Sequence, residues 1–315
     1  MAGPSADQIK DFNVRYHDLA AIGYDEKWGI DFGARGRAQV RAKVAKALGA
    51  RPPRYERALE IGAGTGYFGL NLALDGTVAR PAASDISQGM LDTLSASARA
   101  LDIEVETACC EAAELPFGDA SFDLVFGHAV LHHLPDLDSA FAEFMRVLAP
   151  GGTIVFCGEP SRHGDRLAQL PKRAALSAAP LWRTLMRAGE RKNGDAEHAP
   201  SANGARNGHR PSGDEHELEP FVDVHAFTPH GLETLSARAG FESVRVGGEE
   251  LLAGWFGWAN RSLESTADPD DVPYLWRQYA YRGYVALQAV DRALLEPRLP
   301  AAIFYDLLLS ARAPD

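Results

Sequence analysis

The chain has 315 residues, 46% of them hydrophobic, enough for one large domain with additions or for two domains, with a sizeable core. A formal net charge of -11 and a pI near 5.4 provide no general electrostatic attraction for nucleic acid or an anionic membrane. Three cysteines, two of them adjacent at Cys109 and Cys110, fit neither a disulfide framework nor a zinc spacing, and read as small buried hydrophobes in a reducing compartment with no metal.

Met1 to Lys10 lacks the apolar stretch of a secretory leader, and the longest apolar run, Leu251 to Ala259, is too short to span a bilayer. The expectation is a cytoplasmic protein without stable membrane insertion. Residues 5–50 read as helical, with Ile9, Phe12, Val14 and Tyr16 apolar, a glycine-rich break from Gly23 to Gly36, and Val40, Val44 and Leu48 at helical spacing. Arg51-Pro52-Pro53 ends that helix. Residues 1–50 are therefore expected as an N-terminal helical cap, and 51–315 as the core. The break contains Tyr24 and Trp28, aromatics suited to docking the cap onto the core.

Ala58 to Gly69 then reads as a buried strand, a glycine-rich turn and the start of a helix. Leu59 and Ile61 are strand residues, and Gly62, Gly64 and Gly66 remove side chains where the backbone turns tightly and approaches a ligand. Gly64-x-Gly66-x-x-Gly69 also satisfies the dinucleotide fingerprint. Glu60 argues the other way, because a carboxylate ahead of the first glycine repels a pyrophosphate and suits the ammonium of an amino-acid moiety. Ala79 to Ser84 is the second strand, with Asp85 at its tip, where one carboxylate can accept from both hydroxyls of a ribose diol. Ile86 and Met90 follow, either flanking an adenine or packing in the core.

Val105 to Ala108 reads as strand three, and Ser121 to His128 as strand four, apolar at its centre. Val130-Leu131-His132-His133-Leu134 leads to a helix over Leu137 to Leu148, then a Pro150-Gly151-Gly152 turn and a fifth strand ending at Gly158-Glu159-Pro160. Neutral imidazoles at His128 and His132, and the Glu159 carboxylate, are candidate proton acceptors. A short helix over Ala168 to Met186 precedes Arg187 to Glu217, which contains no Val, Ile, Leu, Met, Phe, Tyr or Trp and is expected to be disordered. Thr228 and Pro229 open a helix as N-cap and first residue; Gly240 closes it, and Phe241 to Val246 is strand six.

Glu60-x-Gly62-x-Gly64-x-Gly66, Asp85, Leu131-His132-His133-Leu134 and Leu148-x-Pro150-Gly151-Gly152, in this order, resemble the class I S-adenosylmethionine-dependent methyltransferases. Within them the likeness is to the small-molecule group that includes quinone and natural-product methyltransferases. It covers residues 55–160 and, more weakly, 225–250. The resemblance implies an α/β fold: a Rossmann-like, doubly wound, seven-stranded, mostly parallel sheet with an antiparallel last strand, for which Phe304 to Ala311 fits. It implies S-adenosylmethionine as cofactor, with Glu60, Gly62, Ala63, Gly64, Gly66, Asp85, Ile86, Met90, Glu111, Ala112 and His128 as its candidate contacts. Glu111 stands where the family often has an aspartate accepting from the adenine amino group, and is one methylene longer. Paired histidines at this point also recur in the family in a loop-holding role. Family members acting on DNA amino groups have an Asp/Asn-Pro-Pro-aromatic tetrapeptide where this chain has Gly127-His128-Ala129-Val130, which argues against base methylation. N-terminal segments in the family fold over cofactor and substrate, making Tyr16, Tyr24 and Trp28 pocket candidates.

Residues 251–302, between strands six and seven, add Trp255, Phe256, Trp258, Tyr274, Trp276, Tyr279, Tyr281 and Tyr284. Additions leaving from the carboxyl edge of the strands make a lid, and an aromatic lid favours a small apolar or ring-containing acceptor, methylated on oxygen or carbon rather than nitrogen. Two other classes stay open: a non-catalytic S-adenosylmethionine-binding or regulatory protein, and an NAD-dependent oxidoreductase.

Overall fold

The computed structural model describes residues 6–20, 30–190 and 224–315. Tyr24, Trp28 and residues 191–217 of the stretch expected to be disordered lie outside the described residues.

Helix α1 (Ala6–Ala20) precedes α2 (Ala34–Leu48), which buries Val40, Val44 and Ala47 along one face and ends on Gly49 in the left-handed conformation. Strand β1 (Tyr55–Ile61) feeds α3 (Tyr67–Leu74), and β2 (Val78–Asp85) feeds α4 (Gln88–Ala100). Next come β3 (Glu106–Cys109), β4 (Phe122–His128), a single 3-10 turn at Leu131–His133, α5 (Leu137–Val147) and β5 (Leu148–Pro160). The rest is α6 (Arg162–Met186), α7 (Pro229–Arg238), β6 (Glu242–Glu249), α8 (Leu252–Glu264), α9 (Tyr274–Val290) and β7 (Asp306–Arg312).

The strands form one sheet in the order β3-β2-β1-β4-β5-β7-β6. The first five are parallel neighbours, with Glu60 paired to Ala83 on one side and Phe126 on the other. β7 runs against both flanking strands. Gly151 donates to the Pro314 carbonyl while Ser161 donates to that of Tyr305, and Tyr305 in turn donates to Glu250. Ala58 to Ile61 and Leu124 to Phe126 are all buried, as expected for central parallel strands covered on both faces. Strand order reverses between β1 and β4, so the crevice for a ligand lies at their carboxyl ends.

Pro150-Gly151-Gly152 is not a turn between helix and strand. It lies inside β5, which begins at Leu148, and the register slips between Phe122↔Leu148 and Leu124↔Thr153. Gly151, at φ +67°, makes this bulge possible. The Thr228 cap forms as expected, its hydroxyl accepting from Gly231 N–H at 3.0 Å.

The described residues fall into two compact units: 6–20, 30–159, 224–247 and 308–315 in one, 160–190 and 248–307 in the other. In the second, Trp258 packs with Ala168 and Tyr305, and Trp182 with Ala267, Val272 and Trp276. Lys172 Nζ lies 3.7 Å from the centre of the Trp258 ring. The Asp291 carboxylate, far along the chain, caps α8 by accepting from Leu252 N–H at 3.0 Å and Ala253 N–H at 2.9 Å. Several aromatics expected to face an acceptor thus build this unit's own interior.

Candidate cofactor site

The glycine turn is shaped by left-handed backbone: Gly62, Gly64 and Gly66 have φ of +59°, +53° and +89°. Their surroundings differ. A Cβ on Gly62 would lie 2.3 Å from Val130 Cγ2, and one on Gly66 2.8 Å from Leu94 Cγ, but one on Gly64 would meet nothing within 4 Å. Gly62 and Gly66 are glycines because protein presses on them; Gly64 borders open space at the mouth of the crevice. Ala63, bonded to the Ser84 carbonyl at 3.0 Å, is buried against Ala83, Leu91 and Leu94.

Asp85 is nearly buried and already holds the turn. Oδ2 accepts from Gly64 N–H at 2.8 Å and Oδ1 from Ser87 N–H at 2.9 Å. A carboxylate has about four acceptor positions, so one remains on each oxygen for a diol. Met90 is 1% exposed, while Ile86 is half-buried.

Glu60, the acid expected to suit an ammonium, is held from within the protein. Its side chain is 3% exposed and Oε2 accepts from Gly69 N–H at 2.9 Å, satisfying one of the donors left over in the first turn of α3. A Cβ on Gly69 would lie 2.5 Å from that oxygen, which explains the glycine there. Burial pushes the Glu60 carboxyl up to about 8, against the opposing pull of the Gly69 bond and with a further push from the Asp85 charge. Through Oε2 the group acts as a helix cap.

Glu159, the carboxylate among the base candidates, is bonded within the protein. It is fully buried, and Oε1 accepts from Val130 and Leu131 N–H, both at 3.0 Å. Oε2 takes His132 N–H at 3.2 Å and faces His132 Nδ1 at 2.9 Å. With both oxygens so engaged, the carboxylate organises the loop after β4 rather than taking a proton from a substrate. His132, 5% exposed, is its partner, and its carbonyl accepts from Val224 and His225 N–H. This is the loop-holding role. His128 stands apart at the end of β4, half-buried, its ring stacked on Phe68 with centroids 4.5 Å apart and pressed close to Gly158.

Two contacts carried no signal in the sequence. Lys10 of α1 forms an ion pair with Glu111 at 2.5 Å, and Asp18 accepts from the Ser87 hydroxyl at 2.5 Å and from Gly89 N–H at 3.3 Å. α1 thus reaches both Glu111, the adenine candidate, and the helix start beside Asp85. Ala112, next to Glu111, is half-buried, and Tyr16 packs edge-on against His17 at 5.2 Å. No group of three or more His, Cys, Asp or Glu among the described residues is arranged to hold a metal ion.

Comparison with known proteins agrees with this arrangement. Residues 59–156 match the methyltransferase domain family. The chain is 35% identical over 151 residues to a demethylmenaquinone methyltransferase of Clavibacter sepedonicus, covering 48% of this chain and 55% of the relative. It is 35% identical over 144 residues to a malonyl-acyl-carrier-protein O-methyltransferase of Methylococcus capsulatus, covering 42% and 51%. The chain thus spans about half the length of the curated relatives it matches. A Haemonchus contortus phosphoethanolamine N-methyltransferase, solved with S-adenosylmethionine, shares the fold with a TM-score of 0.56 at 18% identity, over 98% of this chain and 60% of that one. Residues 59–156, which hold the glycine turn and the Asp85 strand tip, are thus the stretch of the chain that matches the methyltransferase domain family.

Proposed function

We propose that the protein transfers the methyl group of S-adenosylmethionine to a small apolar or aromatic acceptor, at oxygen or carbon. The observation that carries this reading is Gly64: a Cβ there would meet nothing within 4 Å, and its N–H is held by Asp85 Oδ2 at 2.8 Å, so open space adjoins the carboxylate. A ribose diol suits Asp85, and the adenine amino group suits Glu111 once Lys10 yields it. When bound, the cofactor supplies an electrophilic methyl on a sulfonium centre. The chain's part is then alignment and exclusion of water. His128, with His132 and Glu159 tied to each other, is the proton acceptor proposed for a hydroxyl nucleophile. Support for a ring-containing acceptor comes from the relatives named for demethylmenaquinone, and support for oxygen as the nucleophile from those named malonyl-acyl-carrier-protein O-methyltransferase.

The test is calorimetry of S-adenosylmethionine and S-adenosylhomocysteine with the full chain and two alanine variants. Gly64→Ala should weaken both ligands at least about tenfold, roughly 1.4 kcal/mol, and lower the melting temperature only by the strain of alanine in left-handed backbone, about 1–2 kcal/mol. Gly62→Ala should instead lower the melting temperature, because its Cβ collides with Val130. A folded wild type that binds neither ligand overturns the reading. Binding without methylation of any quinol, phenol or carboxylate acceptor would favour the non-catalytic alternative.

A further inference from the structure

All eleven large apolar side chains left exposed among the described residues lie between Leu170 and Leu299, within the second unit, and none lies in the methyltransferase core. On α6 they are ordered. The helix buries Gly164, Ala168, Ala175, Ala179 and Trp182 on one face. At 100° per residue, Arg162, Arg166 and Arg173, all exposed, fall opposite the buried face. Leu170, Leu181 and Leu185, 64%, 66% and 68% exposed, form a stripe along one flank of these arginines, and Leu176, 49% exposed, lies on the other flank.

Charge on the helix is equally one-sided. Asp165 is the helix's sole acid, and it is bonded to Lys172 at 3.3 Å. α9 repeats the pattern: it contains Arg277 and Arg282 and no acid, buries no residue fully, and leaves Leu275 79% exposed.

We infer that the exposed face of α6 is a docking surface for an anionic lipid bilayer. An apolar stripe edged by arginines and free of carboxylates matches an interfacial helix: leucines enter the acyl boundary while guanidinium groups reach lipid phosphates. The net charge of -11 does not oppose this, because exposed charges more than about 8 Å away are screened at physiological salt and the local face decides. A second copy of the chain fits less well. A two-fold contact of α6 with α6 would offer the arginines no carboxylate of that helix but Asp165, which is already bonded to Lys172. Contact is peripheral, since no helix among the described residues is long and apolar enough to cross a membrane. The inference does not depend on methyl transfer.

The experiment is sedimentation of the full chain with vesicles of phosphatidylcholine alone or mixed with phosphatidylglycerol, alongside sedimentation velocity without lipid. Binding should require phosphatidylglycerol and weaken in 1 M salt. The Arg166→Gln, Arg173→Gln double variant should lose about 25-fold, about fivefold per arginine. Leu181→Asp with Leu185→Asp should abolish binding. Unchanged melting temperature and cofactor calorimetry show that each variant is folded. Absence of phosphatidylglycerol binding, equal binding to phosphatidylcholine, variants that bind like wild type, or a dimer that the leucine variant dissociates would each overturn the inference.

Discussion

Glu159→Ala should lower the free energy of unfolding by about 3–5 kcal/mol, the usual cost of removing one partner from a buried charged network. The carboxylate is fully buried, accepts from three backbone N–H groups and faces one imidazole nitrogen, so alanine removes the acceptor that Val130 and Leu131 N–H share in a buried site. Glu159→Gln should fall between alanine and wild type. The amide keeps an accepting oxygen for one side of the network and turns an N–H group toward donors on the other. Urea denaturation followed by fluorescence measures this. A loss below about 1 kcal/mol for alanine would mean that the loop after β4 holds itself without the carboxylate.

A pH dependence is expected from Glu60, whose carboxyl is pushed by burial from 4.5 up to about 8. Between these values the folded protein keeps a proton that the unfolded chain releases. Stability from this group is therefore fully present below pH 4.5 and lost as pH rises through 8, at about 1.4 kcal/mol per unit. The total is on the order of 4–5 kcal/mol. Since other groups titrate too, the quantity to measure is the difference in unfolding free energy between wild type and Glu60→Gln across pH 5 to 8. Glutamine retains an oxygen for Gly69 N–H and carries no proton to lose, so it should gain on wild type steadily as pH rises. A difference that stays flat would show that Glu60 is ionised in the folded protein.

Those two acids also show what the sequence could and could not disclose. Glycines at 62, 64 and 66 were legible because only a residue without Cβ adopts their backbone cheaply. Asp85 was legible because a strand tip beside that turn is where a carboxylate can reach a ligand. The roles of Glu60 and Glu159 were not, because a motif position says that an acid is present but not which way it points. Both point inward, at donors supplied by Gly69 and by the Val130 to His132 loop. Lys10 and Glu111 are 101 residues apart, and no local pattern announces such a pair. The packing of Trp258 was not legible for a related reason: composition does not distinguish a tryptophan that lines a pocket from one that fills an interior.

The place of β7 has a consequence for how the chain acquires its shape during synthesis. The strand is the last made of the seven, yet it lies between β5 and β6. Until residues 306–312 leave the ribosome, β5 presents an unpaired edge and β6 has no neighbour at all. The nascent protein must carry that open edge through the synthesis of everything from Ser161 onward, an interval in which strand-to-strand aggregation competes with folding. A chaperone that shields sheet edges would therefore raise the yield of this protein most when it acts before release.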